Sequence, residues 1–375
     1  MQDDPSVERP TKKSCQRAIN RLINETADFN EIFREANKDD DYRFTDGTFT
    51  FPDSIHWPNV PIEDWSLAGS EDDLEWRRIS DRFWSEDYSM WGENQIEPDD
   101  SIQGQLGNCW LHVAGMSIAE KPDRVKNLFL VDEKNSAGVY AATMYLLGMP
   151  ITVVIDDYLP LQERWDGDIN TIYAKIGEDK ALWGTLFEKT FAKYLGHYEA
   201  IDAGIGSHGI EAMTGSPFTR YWHNKVEEDA SIDELWEELV RSDSSAMMIT
   251  SGSYNGTGSD QDTNEVGLPY THAFSIMYVV EVVDEEEEKH RLVCIRNPWG
   301  IEKYFGAWSD SDERWTDDLR AQANHNDKED NNDGKYFMAL KDYVKYMEST
   351  DISIDVSQMH HSGFAFLGDD EPVNR

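Results

Sequence analysis

Cys109, His272 and Asn297 are residue types that together can cleave an amide bond by nucleophilic attack. A thiol attacks only as thiolate, and a helix N-terminus favours that form because its free N–H groups attract negative charge. Cys109 stands at such a place. Gly107 and Asn108 predict a tight turn, and the almost wholly apolar run Trp110–Ala119 predicts a buried helix beginning at or just after the cysteine. Alone, such a cysteine is most often an inert core residue. A catalytic thiol needs an imidazole to take its proton and a third group to fix the imidazole's tautomer. His272 opens the apolar run Ala273-Phe274-Ser275-Ile276 after the turn-forming Gly267-Leu268-Pro269, and Asn297 closes the next strand ahead of Pro298-Trp299-Gly300. In a hairpin the start of one strand lies beside the end of the next, so this arrangement puts His272 and Asn297 within hydrogen-bonding reach.

Several elements must position these groups. Ile19, Leu22, Ile23, Phe29, Ile32, Phe33 and Ala36 recur at helical spacing. The stretch Phe44–Asp100 is rich in Trp, Pro and Asp, shows little period and reads as ordered but irregular. Strands are predicted over Val139–Leu147 and Ile151–Ile155, and a helix over Leu182–Tyr194; Gly204, Gly206, Gly209 and Gly215 mark a loop region. The second half predicts a helix over Ile232–Val240 and strands over Ala246–Thr250, Ala273–Val283 and Arg291–Arg296, the last two forming a hairpin around the acidic turn Asp284–Glu288. A helix-rich half followed by a strand-rich half predicts an α+β protein of two lobes with a cleft between them. The segment Asn324–Asn332 and the tail beyond Met359, with His360-His361, read as solvated.

Composition narrows the function. Against 34 basic residues stand 74 acidic ones, a formal charge of -40 over 375 residues, which repels phosphate backbones and anionic lipid and argues against nucleic-acid partners. Three cysteines make no disulfide framework. Met1–Lys13 lacks the apolar core of a secretory signal, and no apolar run approaches the length of a membrane span. The expectation is a soluble cytoplasmic protein. No G-x-S-x-G elbow, H-E-x-x-H helix or phosphate-binding loop appears.

The motifs themselves resemble one family. Gln103-Gly104-Gln105-Leu106-Gly107-Asn108-Cys109-Trp110-Leu111 is similar to the calpain signature around the catalytic cysteine, His272-Ala273-Phe274-Ser275 to the histidine motif, and Arg296-Asn297-Pro298-Trp299-Gly300 with Gly306-Ala307-Trp308 to the asparagine motif. Val154–Pro160, Leu186–Lys193, Tyr198-Glu199-Ala200 and Phe44-Thr45-Asp46 with Phe51-Pro52 match further segments in the same order. The resemblance covers about residues 44–355. It implies a papain-like two-lobed protease core, a helical lobe followed by an antiparallel β lobe: an N-terminal helical extension (1–43), a cysteine-bearing lobe (44–214), a lobe with histidine and asparagine (215–355) and a tail (356–375). It implies limited cleavage of protein substrates, with Cys109 as nucleophile, His272 as base and then acid, and Asn297 orienting the ring. Gln103 would donate to the oxyanion, Trp299 would shield the His–Asn pair, and Gly204 would form the wall where substrate backbone docks.

The family also implies calcium, one ion in each lobe, and here the chain departs from the pattern. Asp100, Asp310 and Asp333 match ligand positions, but Ala181, Lys303 and Lys335 stand where acidic ligands are expected, although Asp179 and Glu178 lie near Ala181. A lysine in a cation site exchanges attraction for repulsion, so weakened calcium dependence is expected, with the lysines pairing Asp310 and Asp333 in the metal's place. Thr271 stands where glycine is usual. Modules corresponding to the family's β-sandwich and EF-hands are not expected in this sequence, and the regulatory partner is left open.

Overall fold

The computed structural model describes residues 29–36, 38, 41–55, 74–82, 88–93, 95–163, 169–225, 229–256, 260–325, 333–356, 365–366 and 372–373. Residues 29–36 are helical; Ile19, Leu22 and Ile23 of the same predicted stripe lie outside the described residues, as do positions 326–332 and His360-His361.

The first lobe is built around helix α1 (Cys109–Ala119), every residue of which is buried. Such a helix has no polar face because it is enclosed on all sides. It is followed by α2 (Pro122–Leu128), the hairpin β2 (Val139–Leu146) and β3 (Met149–Asp156), α3 (Trp183–Leu195) and α4 (Gly206–Thr214). The turn between β2 and β3 places Leu147 and Gly148 at φ 52° and 77°, the two-residue geometry whose twist matches antiparallel strands. Helices α1 and α4 touch at Gly209, where an added Cβ would come within 2.8 Å of the Ala114 side chain.

This half holds more sheet than its sequence announces. Strand β1 (Leu74–Arg78) lies inside the stretch read as irregular and pairs antiparallel with β4 (Tyr158–Glu163), which carries β5 (Ile169–Thr171) on its other side. Its sequence, Leu-Glu-Trp-Arg-Arg, hides the strand because Arg78 is buried as an ion. Its guanidinium pairs with Asp157 and donates to the Phe44 carbonyl at 2.6 Å. Helix α3 conceals charge in the same way: Lys189 is buried against Asp156, and Lys193 against Asp46 at 2.7 Å.

The second lobe is one six-stranded antiparallel sheet, in the order β10-β9-β8-β7-β11-β6, formed by β6 (Phe218–Trp222), β7 (Met248–Ser253), β8 (Ala273–Val283), β9 (Lys289–Arg296), β10 (Lys335–Ala339) and β11 (Met347–Ser353). Both faces are apolar, and the alternation of the strands divides them. Val293, Ile295, Tyr336 and Met338 enter one core with α5 (Asp229–Ser244) and α7 (Leu340–Tyr346). Leu292, Cys294 and Phe337 enter the other with Trp308, Trp315 and Leu319 of α6 (Asp317–Ala323).

The lobes meet where α1 packs on β8, with Ser117 Oγ and Ser275 Oγ 2.9 Å apart. Arg296 of the second lobe pairs with Asp99 of the first at 2.6 Å, and Gln103 N donates to the Pro298 carbonyl at 2.9 Å. On the far side Arg124 of α2 reaches the Ala246 carbonyl and, at 2.7 Å, Asp355.

Buried ions give this fold its sharpest mutational sensitivity. Burial disfavours the Asp46 carboxylate, yet the Lys193 ammonium overrides that cost and holds its pKa below the usual value. Lys193→Met leaves a carboxylate buried without its cation, and a loss of about 3–5 kcal/mol is expected. Urea unfolding of the two proteins measures it; a loss under about 1 kcal/mol would mean that water reaches the pair.

Candidate active site

Cys109 is the first residue of α1, and Asn108 stands at its N-cap without capping through its side chain. Instead Asn108 Nδ2 donates to Glu188 Oε1 at 2.7 Å, and Glu188 Oε2 accepts from Ala174 N at 2.9 Å. A carboxylate from α3 thereby ties down the turn that presents the thiol. Gly107 is fastened to the opposite loop, its carbonyl accepting from Ala203 N at 2.9 Å.

His272 immediately precedes β8, and Asn297 immediately follows β9. His272 Nε2 donates to Asn297 Oδ1 at 2.9 Å, the asparagine oxygen also accepts from Trp299 N at 3.1 Å, and Asn297 Nδ2 donates to the Ile301 carbonyl at 3.1 Å. These bonds orient the amide so that its oxygen faces the imidazole. With the proton on Nε2, the other ring nitrogen, Nδ1, carries a lone pair, and that buried atom has no hydrogen-bond partner among the described residues. Trp299 lies over the imidazole with ring centroids 4.3 Å apart, and Phe274 meets its edge at 4.9 Å.

Cys109, Gly204, Thr271 and His272 line one cavity of about 300 Å³. Gly204 is pressed onto Trp110, where an added Cβ would stand 2.3 Å from the indole ring, and Trp110 Nε1 donates to the Ile201 carbonyl at 2.9 Å. Thr271 has φ 51°, the left-handed region that suits glycine and strains a β-branched residue. Its hydroxyl, exposed at the rim, donates to Asn255 Oδ1 at 2.9 Å. Gln103 is buried beside the thiol's turn, with Nε2 donating one hydrogen to the Leu106 carbonyl at 2.8 Å; a primary amide keeps a second hydrogen.

Electrostatics here differ from the sequence-level expectation of a thiolate at a helix end. Burial pushes the Cys109 thiol up to about 11, aided by the charges of Asp260 and Asp202, against hydrogen bonds from the Ala273 and Trp110 backbone. Burial pushes His272 down to about 4, against the bond to Asn297 and the charge of Asp260. Desolvation outweighs the helix terminus, so the resting pair at neutral pH is a thiol and a neutral imidazole.

The ligand positions split by lobe. Asp100 is buried, its Oδ2 accepting from Trp183 Nε1 at 2.8 Å and Glu97 N at 2.9 Å. Burial raises its pKa to about 7, and contact with the Asp179 carboxylate adds to the rise. Asp179 therefore occupies the neighbourhood that Ala181 leaves without a carboxylate. Two adjoining carboxylates, one deeply buried, supply oxygen donors of the kind a divalent cation takes, though fewer than the full set calcium needs. In the second lobe Asp333 Oδ2 pairs with Lys335 Nζ at 3.1 Å, whereas Asp310 lies 3.6 Å from His325. Lys303 is exposed. An ammonium already paired to Asp333 does not fit a calcium site there. Sequence reasoning placed the lysines opposite both aspartates; the pairing is described for Lys335 with Asp333.

Comparison with known proteins gives a consistent result. The profile of the calpain family cysteine proteases matches residues 44–354. The calpain-type cysteine protease DEK1 of Arabidopsis thaliana is 30% identical over 67% of this chain and 11% of its own length. The calpain-2 catalytic subunit of Rattus norvegicus is 25% identical over 74% of this chain and 38% of its own. The chain thus spans well under two thirds of these relatives. A solved structure, SERA5E from Plasmodium falciparum, covers 70% of this chain and 92% of that one at 11% identity with a TM-score of 0.29, too low to argue from.

The protonation states are open to direct measurement. Alkylation by iodoacetamide proceeds through thiolate, so the rate at Cys109, isolated by comparison with Cys109→Ser, should climb steadily from pH 5 to pH 9. A rate already level between pH 5 and pH 8 would mean an ion pair and overturn the assignment.

Proposed function

We propose, on the premise that this chain belongs to the calpain family of cysteine proteases, that it is an endopeptidase making limited cuts in proteins through Cys109, His272 and Asn297. The hydrogen bond from His272 Nε2 to Asn297 Oδ1 carries this reading. It fixes the tautomer that leaves Nδ1 basic, and Nδ1 belongs to the residue that shares a cavity with Cys109.

In the mechanism this supports, Nδ1 takes the Cys109 proton as sulfur bonds to the substrate carbonyl carbon. Because both groups begin neutral, the proton moves with the attack rather than before it. The second hydrogen of Gln103 Nε2 and the Cys109 backbone N–H receive the oxyanion, contacts worth about 10²–10³-fold each in such enzymes. The imidazolium returns its proton to the departing amine as the C–N bond breaks. Water, deprotonated by the same Nδ1, then cleaves the thioester. Trp299 over the ring excludes solvent from the His–Asn bond. Asp100 and Asp179 would hold a calcium ion, whose charge would relieve their mutual repulsion next to Asp99, the residue that pairs with Arg296 across the seam. Lys335 makes a second ion unfavourable, so we read one calcium per chain. Cytoplasmic location is part of the same reading, supported by the free thiols of Cys109 and Cys294. Among the described residues no helix is long and apolar enough to cross a membrane.

Turnover of a fluorogenic peptide should vanish in Cys109→Ser and fall about 10²–10⁴-fold in His272→Ala, the range for losing a general base. Labelling of Cys109 by a vinyl-sulfone probe should disappear with the latter. Equal labelling and turnover with and without His272 would sink the triad. Titration calorimetry of the full chain should find one calcium site that Asp179→Asn removes; two sites, or one unaffected by that change, would overturn the ion assignment.

A further inference from the structure

The cavity beside Cys109 extends away from the thiol along the β6 edge of the sheet, and its far end is charged. Arg220, Glu348 and Asp351 line it there. Arg220 grips Asp351 with both arms, Nε to Oδ1 at 2.6 Å and Nη2 to Oδ2 at 2.5 Å, while Ser207 Oγ donates to the same Oδ2 at 2.6 Å. The guanidinium also lies 5.1 Å from the Trp222 ring centroid. Asp351 is thereby satisfied and buried, and the Arg220 charge is largely spent on it. Glu348 brings a second carboxylate, which also acts electrostatically on Arg220. One cation against two anions leaves the end of the cavity with a net charge of about -1.

Its walls are mostly polar. Thr250, Ser251, Ser253 and Ser349 line the cavity together with Ile205 and the Trp222 ring. Ser251 Oγ is committed to the Ser349 carbonyl at 2.8 Å, and Ser253 Oγ to that of Pro269 at 2.6 Å. An apolar side chain entering here would strip water from Arg220 and Glu348 and return no hydrogen bond. A carboxylate would meet Glu348 and find Arg220 engaged. An ammonium or guanidinium would find Glu348, and the carboxylates Asp202 and Asp260 that act on Cys109 extend the negative field to the thiol. The chain's formal charge of -40 draws basic segments to the same mouth.

We propose that this cavity is a specificity pocket for a lysine or arginine side chain flanking the scissile bond, with Glu348 as the discriminating residue and the Arg220–Asp351 pair as its fixed floor. The proposal rests on the reading of Cys109 as the nucleophile, and it narrows the substrates to basic segments of proteins.

A fluorogenic peptide library varied one position at a time around the cut tests it. At one flanking position lysine or arginine should exceed leucine in kcat/KM by about tenfold, the scale of one specific pocket contact. Glu348→Gln should lower kcat/KM for the lysine peptide about tenfold more than for the leucine peptide, and added salt should erode the same preference. Preference for leucine or glutamate at every flanking position, or an equal loss for both peptides in Glu348→Gln, overturns the pocket. Fluorescence anisotropy with Cys109→Ser and the same peptides separates the two readings. Tighter binding of lysine peptides that the wild-type chain never cleaves retains the pocket and sinks the protease. Cleavage without basic preference does the reverse.

Discussion

Everything chemical in this protein depends on the seam where α1 meets β8. The thiol belongs to one lobe and the imidazole to the other, so neither can be placed by its own element alone. The seam is made of direct contacts: the Ser117–Ser275 pair at its centre, Arg296 to Asp99 near the triad, and Arg124 to Asp355 behind it. The lobe cores lie on either side, and their packing holds both side chains at the wall of one cavity. Burial at the seam also sets the protonation of both groups, because the solvent that would stabilise a thiolate or an imidazolium is excluded.

The same exclusion explains the uneven treatment of charge. Where a carboxylate is buried with a lysine or arginine, as at Asp46, Asp156 and Asp157, it acts as a structural fastener within the first lobe. Where a buried carboxylate adjoins a half-buried one, as at Asp100 and Asp179, the second charge adds to burial in raising the Asp100 pKa. The second lobe has an ammonium at the corresponding place. In that lobe the positive charge beside Asp333 comes from a side chain, Lys335.

How much of this was legible in the sequence follows from how each residue is satisfied. Strand β8 spans the predicted Ala273–Val283, and the α1 and α3 helices lie within a residue of expectation, because their apolar patterns report burial directly. The turn of Asn297 toward His272 was legible as well, from strand order alone. Arg78, Lys189 and Lys193 were not, since charge in a sequence reads as solvent exposure unless its partner is known, and those partners lie 33 to 147 residues away for the two lysines. Asp179 was seen only as a neighbour of Ala181; its contact with Asp100 depends on a backbone path through Gly92, where a side chain would collide with it. Arg220, Glu348 and Asp351 had no motif to announce them.

Gly204 and Trp110 have a consequence for how this protein can change. The indole occupies the space that any side chain at 204 would need, so a single substitution there collides before it can be tested for function. Shrinking Trp110 first would open the space, but it would also remove the bond to the Ile201 carbonyl and the edge contact with Phe191. Mutational routes that reshape this wall therefore pass through a weakened intermediate whichever step comes first, and neutral drift alone will rarely cross it.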